Sequence, residues 1–210
     1  MRVILGSSSQ ARLAALREAG INPMVAEPDI DEKQVARPRP KETTAVLAQL
    51  KGENVLARLR ESGDLADVRP DNQTILISCD TLLEVSGSVY GKPANAEAAR
   101  LGWYQMRGNQ GVLYTGHYVC VLDGPETIRS QLRVERTLLT FADLSDEEIQ
   151  AYVATGEPER AAGGFTISGF GAAFVTRIEG DPHNVVGISL PLVRQMLQDL
   201  DVDWHLLWQL

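Results

Sequence analysis

The chain opens on a short apolar run, Val3-Ile4-Leu5, which breaks at Gly6-Ser7-Ser8-Ser9 and resumes with Leu13, Leu16 and Ile21 at near-helical spacing. That pattern predicts strand, loop and helix, with Gly20 where a helix stop is expected. Met24-Val25-Ala26 predicts another short strand ahead of the acidic segment Asp29-Ile30-Asp31-Glu32, and Pro38 and Pro40 mark a loop. From Thr44 to Leu59, apolar residues at Val46, Leu47, Leu50, Val55, Leu56 and Leu59 keep the spacing of a long helix, weakened by Gly52. Glu61 to Asn72, with Gly63 and Pro70, reads as a surface loop. Ile75-Leu76-Ile77 after it is apolar enough to belong inside a sheet.

Beyond Pro93, Asn95 is placed as an N-cap, Glu97 lies in the first turn, and Leu101 and Met106 form the apolar face of a helix that Gly108 ends. Val112 to Leu122 and Ile128 to Leu139 flank Asp123-Gly124-Pro125, the pattern of an antiparallel hairpin. Ser145-Asp146-Glu147-Glu148 is a capping box for a helix through Ile149 and Val153, closed by Gly156 and Pro158. Gly163-Gly164 and Gly169-Phe170-Gly171 are expected to bracket short strands before a last helix from Leu190 to about Leu200.

Composition narrows the class. With 210 residues, 44% apolar and 23% charged, the chain supports one sizeable core, so a single α/β domain over 1–210 is expected. A net charge of −8 argues against a nucleic-acid polymer or an anionic membrane as partner, because both require a basic face. A small anionic ligand remains compatible, since charges beyond about 8 Å are largely screened and local cations decide. Cys79 and Cys120 lie among apolar strand residues with no C-x-x-C spacing and no leader ahead of them, so reduced core thiols of a cytosolic protein are expected. No apolar run approaches the length of a membrane span.

Candidate chemistry gathers at a few places. Asp80 follows the apolar strand, where open α/β sheets present ligands, and Lys92 comes shortly after in Gly91-Lys92-Pro93. The carboxylate can hold a divalent metal or take a proton from water, and the lysine can meet a phosphate oxygen; Asp80 can equally be a turn former or helix cap. Ser7, Ser8, Ser9 and Arg12 sit at a strand-to-helix junction whose unpaired N–H groups favour an anion, unless one serine merely caps the helix and Arg12 faces solvent. Lys51 and Glu32 are unremarkable singly. Together with Arg12, Lys92 and a metal on Asp80 and Glu32, Lys51 completes the charge needed to hold a triphosphate. His117, His183 and His205 fall in unrelated contexts, so no serine-histidine triad is expected, and no Cys/His zinc spacing occurs. Trp103, Trp204 and Trp208 read as packing residues.

In order along the chain, these segments resemble the Maf family of nucleoside triphosphate pyrophosphatases. Leu5-Gly6-Ser7-Ser8-Ser9-Gln10-Ala11-Arg12 is similar to its L-A-S-x-S-P-R-R opening, and Asp31-Glu32 and Lys51 to its acidic pair and helix lysine. Cys79-Asp80-Thr81, Gly91-Lys92-Pro93, Thr115-Gly116, Thr155-Gly156-Glu157-Pro158 and Gly180-Asp181 through Asn184-Val185-Val186-Gly187 follow in family order. The resemblance implies a two-lobed α/β fold around an elongated mixed sheet flanked by helices, a homodimer, and a nucleotide cleft between the lobes. It also implies hydrolysis of a nucleoside triphosphate to monophosphate and pyrophosphate with Mg²⁺ or Mn²⁺. Asp80 then corresponds to the general base or metal ligand, Glu32 to a metal-site acid, and Ser7, Ser9, Arg12, Lys51 and Lys92 to phosphate binders. Ala11, Thr81 and Ser168 match the base-selectivity positions, and Ala11 and Ser168 depart from the arginine and glutamine found there in the thymidine/uridine triphosphate subgroup. Ala161 replaces the lysine of the family's D-K-A-G segment, with Arg160 beside it. That loss keeps a second reading open, a nucleotide-binding regulator of cell division without turnover.

Overall fold

Three strands of 12, 14 and 16 residues form the spine of the molecule, and the length of the first decides where the chemistry sits. The computed structural model describes residues 1–32, 35, 39–65 and 73–209. Of the loop expected at Pro38 and Pro40, Pro38 lies outside these residues while Pro40 is a correction, already the first residue of a helix, and most of the loop expected before Asn72 lies outside them too. In chain order the elements are β1 (Arg2–Gly6), α1 (Gln10–Glu18), β2 (Met24–Val25), α2 (Pro40–Ser62), β3 (Thr74–Val85) and β4 (Ser88–Tyr90). There follow α3 (Ala96–Met106), β5 (Gln110–Asp123), β6 (Glu126–Phe141), α4 (Asp146–Ala154), β7 (Val175–Glu179), α5 (Pro182–Val186) and α6 (Leu190–Gln198).

A seven-stranded mixed sheet runs β2-β1-β3-β5-β6-β7, with β4 added on β3. β1 pairs parallel with β3 from Thr74 to Ser78, whereas β5 pairs antiparallel with β3 along its whole length. On the side away from β5, β4 takes over from β1 only at Leu83. Among the described residues, no strand therefore lines β3 on that side between Ser78 and Leu83. Asp80 and Thr81 occupy this interruption, so the carboxylate lies inside a twelve-residue strand rather than beyond its end. The apolar run made the strand visible, but its continuation through Asp80 depends on the ladder to Gly116.

The interruption is also a seam between cores. One cluster packs α1 and α6 on the β1 half of the sheet through Leu16, Ile75, Ile77, Val193 and Met196, and another packs α2 on the opposite face through Ala48, Val55, Leu76 and Cys120. A third covers the far half, where Leu83, Leu113, Leu139 and Phe141 meet Trp103, Ile149, Tyr152 and Phe165.

Capping follows the expected chemistry. Ser9, Asn95 and Ser145 accept from Arg12, Ala98 and Glu148 amides, and Glu148 closes the box back on Ser145 N. Gly20 and Gly108 end α1 and α3 with positive φ. Leu101 is a correction, being 53% exposed, while Ala99, Trp103 and Met106 form the buried face of α3. The strands expected around Gly163 and Gly169 are also absent: Ala162–Gly164 and Phe170–Phe174 are 3₁₀ turns, and β7 begins only at Val175. Glu157 explains the second turn, since its carboxylate accepts from Phe170 N and Gly171 N at 2.9 Å each, fixing the backbone locally instead of in a ladder. Gly52 is no weak point. A Cβ there would lie 2.6 Å from Ser78 Oγ and against the Tyr118 ring, so the glycine lets α2 lie close on the sheet, where Ser78 donates to Ala48 O at 2.7 Å.

Candidate active site

Close approach of α2 delivers Lys51, the residue before that glycine, to the interruption in β3. Its ammonium lies 2.5 Å from Asp80 Oδ1 and 2.8 Å from Glu32 Oε1, so one cation bridges both acids. Lys51 and Asp80 are buried, whereas the Glu32 side chain is 54% exposed. Burial pushes the Asp80 carboxyl above its ordinary range, and Lys51 and then Arg12 pull it back without cancelling the shift. A buried carboxylate that is easy to protonate suits a proton acceptor.

Ser7 stands just past the end of β1, and the first helix turns Arg12 back toward it. Arg12 is buried and held on three sides: Nε donates to Gly187 O at 2.7 Å, Nη1 to Ser7 Oγ at 3.0 Å and Nη2 to Thr81 Oγ1 at 3.0 Å. One N–H remains on each terminal nitrogen, a fork matched to two oxygens of a phosphate. The solvent-facing alternative for Arg12 is therefore wrong. For Ser9 the capping alternative holds, because its oxygen accepts from Arg12 N.

Not every sequence candidate joins this cluster. Lys92 is exposed, makes no ion pair with described residues, and lines a cavity of about 250 Å³ with Tyr90, Pro93, Ala98 and Gly163. Ala11 is exposed on α1. Ser168 is exposed too, its hydroxyl 3.1 Å from that of Thr166. Thr81, in contrast, is buried on β3 beside Arg12. Cys79 and Cys120 are free and buried, with their thiols pushed up to about 11 and about 12 by burial, so both are inert. His117 is buried, accepts from Ser189 N at 2.8 Å, and is pushed down to about 3 by burial and then by Arg12. No described helix is long and apolar enough to cross a membrane.

Sequence reasoning gave no role to Thr115, Asn184 or Gly187 individually. Their segments were visible as family motifs, yet what each backs onto is set by α5 packing on β5 and β6.

A mixed α/β sheet with a gap in its ladder, into which a buried arginine and a lysine–carboxylate pair converge, defines the class: an α/β protein with a charged cluster set inside its sheet. Within that class the chain belongs to the Maf-like protein family, which matches residues 2–200. It is 50% identical over 205 residues to a protein of Cutibacterium acnes named nucleoside triphosphate pyrophosphatase, covering 98% of this chain and 93% of that one. A relative of the same name in Salinispora tropica is 45% identical over 208 residues, covering 99% and 88%. Among solved structures, the Ham1 protein of Staphylococcus aureus aligns at 13% identity with a TM-score of 0.39 over 68% of this chain and 73% of that one, too loose a likeness to carry an argument.

Proposed function

We propose that this protein hydrolyses nucleoside triphosphates to the monophosphate and pyrophosphate in the gap beside β3. The observation that carries the reading is the convergence of Lys51, Asp80 and Glu32 on one point, beside an Arg12 fork with N–H groups to spare. The relatives' shared name supports the reaction type.

In this reading Arg12 and Lys51 hold the triphosphate, with Ser7 and the N-terminus of α1 supplying further donors and Lys92, which stands outside this cluster on the β4–α3 connection, serving as a further phosphate binder. Asp80 accepts a proton from water as its oxygen bonds to the α-phosphorus. The α–β bridging bond then breaks, and pyrophosphate leaves with the electron pair. The cations stabilise charge that grows on the phosphoryl oxygens. Burial helps twice, by keeping Asp80 basic and by strengthening its field on the water.

Mg²⁺ or Mn²⁺ fits the residues present. Asp80 and Glu32 already share one ammonium, and a small hard cation commonly takes one or two carboxylates and completes its shell with water and phosphate oxygens. Among the described residues no group of three acids, histidines or cysteines exists to cage it, so the remaining ligands must be substrate and water. When bound, the metal supplies neutralisation of triphosphate charge.

The test is a panel of nucleoside triphosphates with Mg²⁺ or Mn²⁺, scored for products. Monophosphate and pyrophosphate in equal amounts are expected. Diphosphate plus orthophosphate would reject the bond assignment, and binding with no product would favour the regulator reading that Ala161 keeps open.

A further inference from the structure

The hydroxyls behind Arg12 are ordered by their proton count. Thr115 Oγ1, fully buried on β5, donates its single proton to Asn184 O at 3.2 Å. It therefore cannot donate to Thr81 Oγ1, which stands 3.1 Å away, so Thr81 is the donor in that contact. The Thr81 oxygen is left with its lone pairs toward Arg12 Nη2 at 3.0 Å. Asn184 is itself pinned, its Nδ2 donating to Leu113 O at 3.4 Å and to Thr137 Oγ1 at 3.0 Å, on β5 and β6. Its carbonyl also receives Gly187 N at 3.0 Å, and Gly187 returns its own carbonyl to Arg12 Nε. A Cβ on Gly187, whose φ is +106°, would sit 3.1 Å from Arg12 Nε and 3.4 Å from Thr81 Oγ1, so the turn is moulded to this contact.

We propose that Thr115 is a positioning residue for Arg12: acting through Thr81 and anchored on Asn184, it holds the guanidinium so that its remaining N–H pair faces the triphosphate. The proposal rests on the triphosphate reading above. It also changes the role implied for Thr81, whose proton is committed to Thr115 and whose oxygen to Arg12, leaving no donor for a base edge. Removing the Thr115 hydroxyl frees the Thr81 proton to rotate toward Arg12 and deprives Nη2 of a fixed acceptor. Because every substrate shares the triphosphate, the loss falls equally on all bases.

Thr115→Val and Thr115→Ser, measured on four nucleoside triphosphates, separate the possibilities. Thr115→Val is expected to lower kcat/KM about tenfold by the same factor for each base, with Thr115→Ser within about twofold of wild type. In an Arg12→Lys background Thr115→Val should add nothing. An unchanged kcat/KM, a loss that differs between bases, or an equal loss in the Arg12→Lys background would overturn it. If Thr115→Val fails to fold, Thr81→Val against Thr81→Ser carries the same comparison. If the wild-type protein turns over no triphosphate, the functional reading fails separately, and calorimetric titration with inorganic pyrophosphate takes over. Weaker pyrophosphate binding in Thr115→Val, restored in Thr115→Ser, supports the positioning role; equal binding in all three rejects it.

Discussion

At the scale of single residues, burial sets the properties that matter. Asp80 has a folded-state carboxyl above its unfolded value, so its contribution to stability is present at low pH and is lost as pH rises through the carboxylate range. Asp80→Asn is accordingly expected to hold or raise Tm at neutral pH while lowering pyrophosphate release about 10²-fold or more, checked by calorimetry and a product assay on one preparation. Wild-type turnover in Asp80→Asn would remove the general base. His117 has the opposite sign. Its folded value, about 3, is depressed, so its contribution is complete above the unfolded value of 6.5 and is lost as pH falls toward 3, at about 1.4 kcal/mol per unit. Arg12 and Asp181 are the charges that face it. His117→Gln, which keeps an acceptor for Ser189 N, should flatten the acid limb of a denaturant-stability profile. Asp80, Lys51 and Arg12 could be read from the chain as charged residues in suggestive places, but Thr115 and Asn184 could not. A threonine in a strand and an asparagine near a turn look ordinary, and only the proton count of three touching hydroxyl and carbonyl groups gives them a task.

At the scale of elements, close approach matters more than helix propensity. A Cβ at Gly116 would run into the backbone of Thr44 on α2, as one at Gly52 would run into Tyr118 and Ser78. Gly116→Ala is expected to cost about 1–3 kcal/mol and to weaken the Lys51–Asp80 contact, so that denaturant midpoint and kcat fall together. Ser145→Ala is a contrast, because the α4 capping box touches no candidate residue: about 1 kcal/mol of stability should go with activity intact. Caps, helix stops and the β5–β6 hairpin were readable because each is set by residues a few positions apart. The segment from Gly163 to Phe174 was misread for the complementary reason. Its glycines marked turns correctly, but Glu157 satisfies the backbone locally, and no strand forms there.

At the scale of the whole molecule, an anionic chain is expected to bind an anion through a few local cations. A nucleoside triphosphate with Mg²⁺ or Mn²⁺ should raise Tm in proportion to the logarithm of its concentration, and Arg12→Ala should abolish most of that shift. The homodimer implied by the family resemblance predicts a sedimentation mass of twice 23.0 kDa; a mass of 23.0 kDa would make the protein a monomer. Hydrophobic periodicity and turn chemistry alone determined the α/β class, most elements and their caps, because burial of one face and satisfaction of backbone ends are local demands written into adjacent residues. Tertiary structure alone decided that the pairing of β3 with β1 ends at Ser78, that its pairing with β4 begins at Leu83, and that Asp80 lies between them. It also decided which candidates meet. Lys51 and Asp80 are 29 positions apart, Arg12 and Thr81 69, and Arg12 and Gly187 175, separations over which no spacing rule acts and only the packing of the sheet can bring side chains together.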